Sequence, residues 1–355
     1  MHKLYTWVFE PGFFSNAPVH VAALIGGVVA VVSAVVGVFT VMRGQSFGGH
    51  ALGDVSAAGG SGALLIGLNP LLGFVGLGIV GGGVMDMIGV RRVRGRDLAT
   101  GIVLGAAIGL SALFLYLDTT SGATTGATQQ ILFGSIFTIP SGTIPFVAIF
   151  SAISLASIAA GWRPLLLSTV STDIAAARGV PVRLVGLLYM LALAVSVGLS
   201  SLAVGAILST ALLIGPAAAA LRLTRRVGWA LAVACLIGVG ATWLGVLLAY
   251  DSYYWGSGHQ GLPVSFFIVA VVFTTYLLSG LPAAQAAAGR RDTASEPEGR
   301  GAAWTEEQNL SEPEGRGAAW TEEREARDER RATREGGAFR RPGGERGNRA
   351  CSRVS

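Results

Sequence analysis

The stretch STDIAAARGVPV, residues 171–182, is a polar island between two apolar runs, and its reading decides the fold. A polar segment between hydrophobic crossings cannot stay in hydrocarbon, where its free backbone and charged groups would find no partners, so it lies on a water face. Ser171 or Thr172 offers a helix N-cap, the alanines propagate the helix, and Gly179 and Pro181 stop it. This predicts one short helix on the membrane surface. The apolar run behind it, Leu184 to Leu223, is too long for one span, since about 20 residues cross a bilayer. It reads as two spans joined by a tight turn near Ser200 and Ser201.

Working outward, apolar runs occur near 20–42, 51–68, 70–90, 98–117, 144–162, 182–199, 202–221, 228–250 and 262–281. The expected fold class is therefore all-α, a polytopic helical membrane protein of about nine segments, with eight as the alternative if one shorter run is re-entrant. A hydrophobic fraction of 52% and a mean hydropathy of +0.59 over 355 residues exclude an ordinary soluble domain. Five aromatics in MHKLYTWVFEPGFF precede the first run as an interfacial belt, which reads as a retained span rather than a signal peptide.

Charge sets the orientation. Arg43, Arg91, Arg92, Arg94, Arg96, Arg163, Arg178, Arg183, Arg222, Arg225 and Arg226 all fall in alternate loops, whereas 118–143 and 251–261 contain no Lys or Arg. Basic loops face the cytoplasm, so nine spans run from an outer N-terminus to an inner C-terminus, and only Lys3 lies outside. Three regions result: an extracytoplasmic segment 1–18, a transmembrane domain 19–285 and a charged cytoplasmic tail 286–355. Residues 290–355 hold 14 basic and 14 acidic residues and carry SEPEGRGAAWTEE twice, at 295–307 and 311–323. Dense mixed charge with few aliphatics reads as disorder, and two copies are too few for a solenoid.

Lys3 is the only lysine, so the chain has no Walker A loop, and any ATP must be hydrolysed by a partner. No HExxH motif is present, and the serines in the spans have no nearby base in sequence, which argues against an intramembrane enzyme. Cys235 and Cys351 are too few for a disulfide framework, and Cys235 reads as a packing residue. Glycine clusters at Gly59, Gly60, Gly62 and Gly81 to Gly83 read as close helix contacts.

Ionisable groups inside spans are costly and so become functional candidates. His50 and Asp54, four residues apart in FGGHALGDVSAAGG, share one helix face. An imidazole and a carboxylate so placed suit contact with one divalent cation, or a structural hydrogen bond between the two. Asp86 is expected to pair with Arg91 or Arg92. His20 and His259 fall on the predicted outer side, as does the uncharged loop 118–143, a candidate contact for something delivered from outside.

The segments VVGVFTVMRGQSFGGHALGDVSAAGGSGALLIGLNP, QQILFGSIFTI and LLLSTVSTDIAAARGVPVRLVGLLYMLALAVSVGLSSLAVGAILSTALLIGPAAAALRLTRR together resemble the permease subunits of ATP-binding-cassette importers for zinc and manganese, over roughly 31–281. The resemblance implies a permease in the cytoplasmic membrane that pairs with a second copy, as a homodimer, with cytoplasmic ATP-binding subunits and with an extracytoplasmic metal-binding protein. It implies alternating access, no permanently bound cofactor, and a divalent zinc or manganese ion as cargo. Nucleic acid is not among the expected partners. By the same likeness 172–180 is the coupling helix, with Thr172, Asp173, Arg178 and Gly179 as docking positions, while Gly205 and Pro216 serve packing and a kink. Where the family reads G-D-A-L-S-H-A, this chain reads G-H-A-L-G-D-V at 49–55, so the two ligand types have exchanged places. Two rival readings are an importer of a metal chelate and an ion-driven secondary carrier, although repeated halves and several buried charges, the marks of the latter, are not evident.

Overall fold

The computed structural model describes residues 16–89, 93–121, 126–134, 136–253 and 261–294. By contacts the chain divides into Met1–Ala288 and Gly289–Ser355. Of the second unit only the end of one helix, 289–294, is described. Lys3, Arg91, Arg92, His259 and the repeated tail segments lie outside the described residues, as does the Asp86 side chain.

The described chain is all helix and turn. The helices are α1 (Ala17–Met42), α2 (Ser46–Leu65), α3 (Pro70–Gly89), α4 (Val93–Ser121), α5 (Ala127–Phe133), α6 (Ile144–Ala160), α7 (Trp162–Val170), α8 (Thr172–Ala177), α9 (Val182–Val204), α10 (Ala206–Leu223), α11 (Val227–Ser252) and α12 (Val264–Ala294). Six of them, α1, α4, α6, α9, α10 and α11, are long and apolar enough to cross a membrane, and α3 and α12 contain shorter apolar stretches, Pro70–Met85 and Val264–Gly280. The protein is a polytopic helical membrane protein.

Burial sorts the helices into a centre and a periphery. In α9 the most apolar window is 78% buried and in α1 61%, against 22% in α4 and 28% in α6. α1 packs on α9, α10 and α11, while α2 lies against α3, α4, α9 and α10. The outward faces are greasy: Ile102, Ile108 and Leu113 on α4 and Phe266, Phe273 and Leu278 on α12 are exposed. In water such faces would be costly, and in lipid they match the solvent.

Small residues bring the central helices together. A Cβ on Gly59 would stand 2.0 Å from the Gly73 carbonyl oxygen, and one on Gly73 would stand 2.1 Å from that of Gly59, so α2 and α3 touch backbone to backbone. Gly60 abuts the Phe74 ring, and a Cβ on Gly81 would meet Val55 at 2.5 Å, but Gly83 faces open space. The close-packing reading thus holds for the first cluster and for Gly81. Cys235 is half-buried beside the small core of Ala34, Val38, Ala217 and Ala234, as a packing residue should be.

One expectation requires correction. The break in the long run falls at Gly205, not at Ser200 and Ser201, which are fully buried inside α9. Ser200 satisfies its hydroxyl without leaving the helix, donating to Ser196 O at 2.9 Å and meeting Ser33 Oγ at 2.6 Å. Gly205 has φ +93 and ψ 157, a conformation nearly closed to residues with a Cβ. The fifth apolar run, 144–162, ends close to where its helix does. α6 ends at Ala160, and Trp162–Val170 form the separate helix α7, with Pro164 in the first turn where its missing N–H is harmless. The segment 118–143 contains the end of α4, α5 and two short 3-10 turns, and Ile131 and Ile136 are each 1% exposed.

Candidate functional site

α2 carries the charged pair, starting after Gln45 and running through a region where every third or fourth residue is small. His50 and Asp54 project on one face, as the spacing predicts, with His50 Nε2 3.9 Å from Asp54 Oδ2. This is too long for a hydrogen bond. The His50 side chain is 45% exposed and that of Asp54 16%. Asp54 Oδ2 is buried and accepts no hydrogen bond.

A residue that the sequence did not point to completes the arrangement. Thr210 Oγ1 of α10 lies 3.0 Å from His50 Nδ1. If Nδ1–H donates to this hydroxyl, Nε2 keeps its lone pair on the Asp54 side, and the ring is held by a neutral second partner in the manner of orienting groups behind metal-bound histidines. The bonds from a zinc ion to nitrogen and to oxygen are each about 2.1 Å, together about 4.2 Å. A cation bonded to both Nε2 and Oδ2 across their 3.9 Å separation would make an angle of roughly 135° between them, and a small turn of either side chain would close it toward the tetrahedral value. Among the described residues no group of three or more His, Cys, Asp or Glu side chains is placed to hold a metal.

α10 brings Thr210 to this place because of what precedes it. Gly205 starts the helix, and Ser209 N donates to Gly205 O at 2.9 Å. Gly205 lies back to back with Gly134, φ +74, at the end of α5: a Cβ on Gly205 would stand 2.4 Å from Leu132 O, and one on Gly134 would stand 2.6 Å from Gly205 N. Pro216 sits buried inside α10, and beside it a Cβ on Gly215 would meet Val272 Cγ1 of α12 at 2.1 Å. Thr210 also lines an open groove of about 360 Å³ between α10 and α12, walled by Ile214, Val272, Phe273 and Tyr276.

The polar island folds as its sequence reads. Ser171, not Thr172, is the N-cap, its Oγ accepting from Ile174 N at 3.3 Å. At the other end Gly179 has φ +77, with Gly179 N bonded to Ala176 O at 2.9 Å and Val180 N to Ala175 O at 3.0 Å. This paired closure leaves few orphan carbonyls on the exit side. Ala175 is the one buried residue of α8, while Thr172, Asp173, Arg178 and Gly179 are all exposed. Two apolar side chains outside the expected set share this surface, Val170 at 81% exposed and Ile174 at 51%. Ile174 had one sequence signal, an apolar residue inside a polar island, whereas Val170 belongs to the apolar run before it. His20 is exposed at the start of α1 and is not brought to His50.

A multi-helix membrane permease with a surface helix between two of its crossings is thereby defined. The chain belongs to the ABC 3 transport family, whose model matches residues 17–280. It is 30% identical over 225 residues to the manganese transport system membrane protein MntC of Halalkalibacterium halodurans, covering 63% of this chain and 76% of that one. To the high-affinity zinc uptake system membrane protein ZnuB of Haemophilus influenzae it is 27% identical over 230 residues, covering 62% and 84%. Its fold is similar to a chain of PsaBC from Streptococcus pneumoniae in complex with Fab, with TM-score 0.65, 23% identity, and coverage of 78% of this chain and 95% of that one.

Proposed function

We propose that the chain is the permease subunit of an ABC importer that carries a divalent transition metal, zinc or manganese, by alternating access, and that His50 and Asp54 contact the ion on its way. The observation that carries this reading is the buried, unpaired Asp54 Oδ2 beside a histidine held by Thr210. An unpaired buried acceptor costs about 1–3 kcal/mol, and a cation on Oδ2 would offset that cost. Relatives named for manganese and for zinc stand behind the choice of ions. One nitrogen and one oxygen donor do not separate the two metals.

ATP is hydrolysed elsewhere, by cytoplasmic subunits that dock on α8, where the exposed Val170, Thr172, Asp173, Ile174, Arg178 and Gly179 form the handle. A second copy completes the path, and the exposed side of His50 together with the groove beside Thr210 is the face turned toward it. An extracytoplasmic metal-binding protein delivers the ion near α5. Nine crossings, α1 to α4, α6 and α9 to α12, run from an outer N-terminus to an inner C-terminus. In favour stands the contact of Arg43, at the end of α1, with Ser168 and Thr169 just before α8, since both ends were expected inside. The regions 1–18, 19–285 and 286–355 then act as outer segment, permease and cytoplasmic tail.

The test is uptake of labelled zinc and manganese in cells lacking other importers, with His50→Ala, Asp54→Ala and the double variant. Uptake is expected to collapse at normal membrane abundance. Normal uptake in the double variant removes the pair from the mechanism. Copurification of an ATP-binding subunit with the tagged chain tests the class independently.

A further inference from the structure

Arg43 joins three helices, α1, α7 and α9, through its guanidinium, and it is not among the groups assigned to the cation path. It caps α1 and stands three residues before α2 begins. Its Nη2 donates to Ser168 Oγ at 2.5 Å and its Nε to Thr169 Oγ1 at 3.1 Å, both in the last turn of α7. Its planar face lies over the ring of Tyr189 in α9, 4.7 Å from the centroid. Tyr189 is 1% exposed and donates from its hydroxyl to Thr40 Oγ1 of α1 at 3.0 Å. The Phe39 and Trp162 rings meet edge to face at 5.5 Å beside this cluster, again linking α1 to α7.

The topology gives these contacts their meaning. α7 leads directly into α8, with Ser171 as both the end of one and the cap of the other, and α9 leads directly out of it. Arg43 therefore holds both flanks of the surface helix at once, and through the short turn 43–45 it is joined to α2, which carries His50 and Asp54. A partly buried guanidinium is costly to leave unpaired, so its hydroxyl and ring partners must move with it or be given up together. A lysine has one point charge and no planar fork, and cannot keep both hydroxyls and the ring face in one geometry.

We propose that Arg43 is the positioning residue that transmits movement of α8 to α2, so that engagement of the ATP-binding subunits is felt at the His50 and Asp54 pair. This rests on the permease reading above. Arg43 touches neither cargo nor nucleotide. Its loss separates ATP hydrolysis from transport.

The experiment uses the full complex, chain plus its ATP-binding subunits and delivery protein, in proteoliposomes with zinc or manganese as probe. It measures ions moved per ATP hydrolysed for wild type, Arg43→Gln, Arg43→Lys and the double variant Ser168→Ala/Thr169→Val. In Arg43→Gln this ratio is expected to fall about tenfold, within the usual range of coupling between linked sites, with hydrolysis maintained. Arg43→Lys should fall between Arg43→Gln and wild type. Ser168→Ala/Thr169→Val leaves the arginine in place but removes its acceptors on α7, and it should reproduce part of the loss, which keeps the test valid if Arg43→Gln does not assemble. An unchanged ratio in the assembled variants, or a parallel fall of hydrolysis and transport that leaves the ratio intact, overturns the proposal. If the wild-type complex shows no ATP-dependent uptake, it is the permease reading that fails.

Discussion

The two polar clusters of the membrane unit are built on opposite terms. Around Arg43, donors meet acceptors: Ser168 and Thr169 accept from the guanidinium, the Tyr189 ring lies against it, and the Tyr189 hydroxyl donates in turn to Thr40. Around Asp54 the accounts are left open, with Nε2 of His50 3.9 Å away and Oδ2 bonded to nothing. Both lie among apolar helices, where an unpaired group is costly. A saturated cluster keeps its geometry and so behaves as a joint. An unsaturated one holds binding capacity in reserve, which is what a cargo on its way through requires.

The contrast can be broken first at Asp54. Replacement by Ala is expected to lower metal uptake by about tenfold to a hundredfold, the scale of losing a metal ligand or the partner that orients it. Because Oδ2 contributes no hydrogen bond to the fold, membrane abundance and thermal stability in detergent should stay near wild type. A destabilised Asp54→Ala protein would instead mark the pair as structural. Tyr189→Ala should behave in the opposite way. Truncating a fully buried aromatic costs about 3 kcal/mol or more, so the thermal transition should drop and the protein should be lost from membranes. Full stability with lost uptake would place Tyr189 on the path and erase the distinction.

Thr210 sharpens the comparison, since its hydroxyl belongs to the open cluster. Thr210→Val keeps the shape and removes the hydrogen bond to His50, and uptake is expected to fall about tenfold, at the low end for a group that orients a metal-bound histidine. Thr210→Ser should restore most of it, and failure of that rescue would show that the methyl group, not the hydroxyl, matters. The smallest effect is expected at the cap of α8. Ser171→Ala removes one side-chain cap, worth about 1 kcal/mol, and should weaken copurification of the ATP-binding subunits slightly while leaving the protein folded. Ile174→Asp, which changes the exposed apolar surface without touching the cap, should weaken it more.

Much of this was legible in the sequence, for local reasons. The apolar runs read as helices in the right order, and six of those helices are long and apolar enough to cross a membrane, because each must hide its own backbone from lipid. The surface helix could be read from Ser171, the alanines and Gly179, because capping and termination act within a few residues. His50 and Asp54 could be placed on one face because a helix turns at a fixed rate. The run of small and polar residues at 196–205 was where local reading failed. Serines look like a turn until a neighbouring helix supplies Ser33 to satisfy one of them, and only the backbone angle at Gly205 identifies the true break.

Sequence by itself determined the order of the apolar helices, the stop of α8 at Gly179 and the sharing of one turn by His50 and Asp54, since all of these depend on neighbours within about one helical turn. Tertiary structure alone decided that Thr210 stands behind His50 across 160 residues and that Arg43 reaches Ser168 across 125. It also decided that Gly134 and Gly205 meet back to back. These pairings follow from how helix surfaces interlock, and periodicity within one helix holds no information about the helix it will touch.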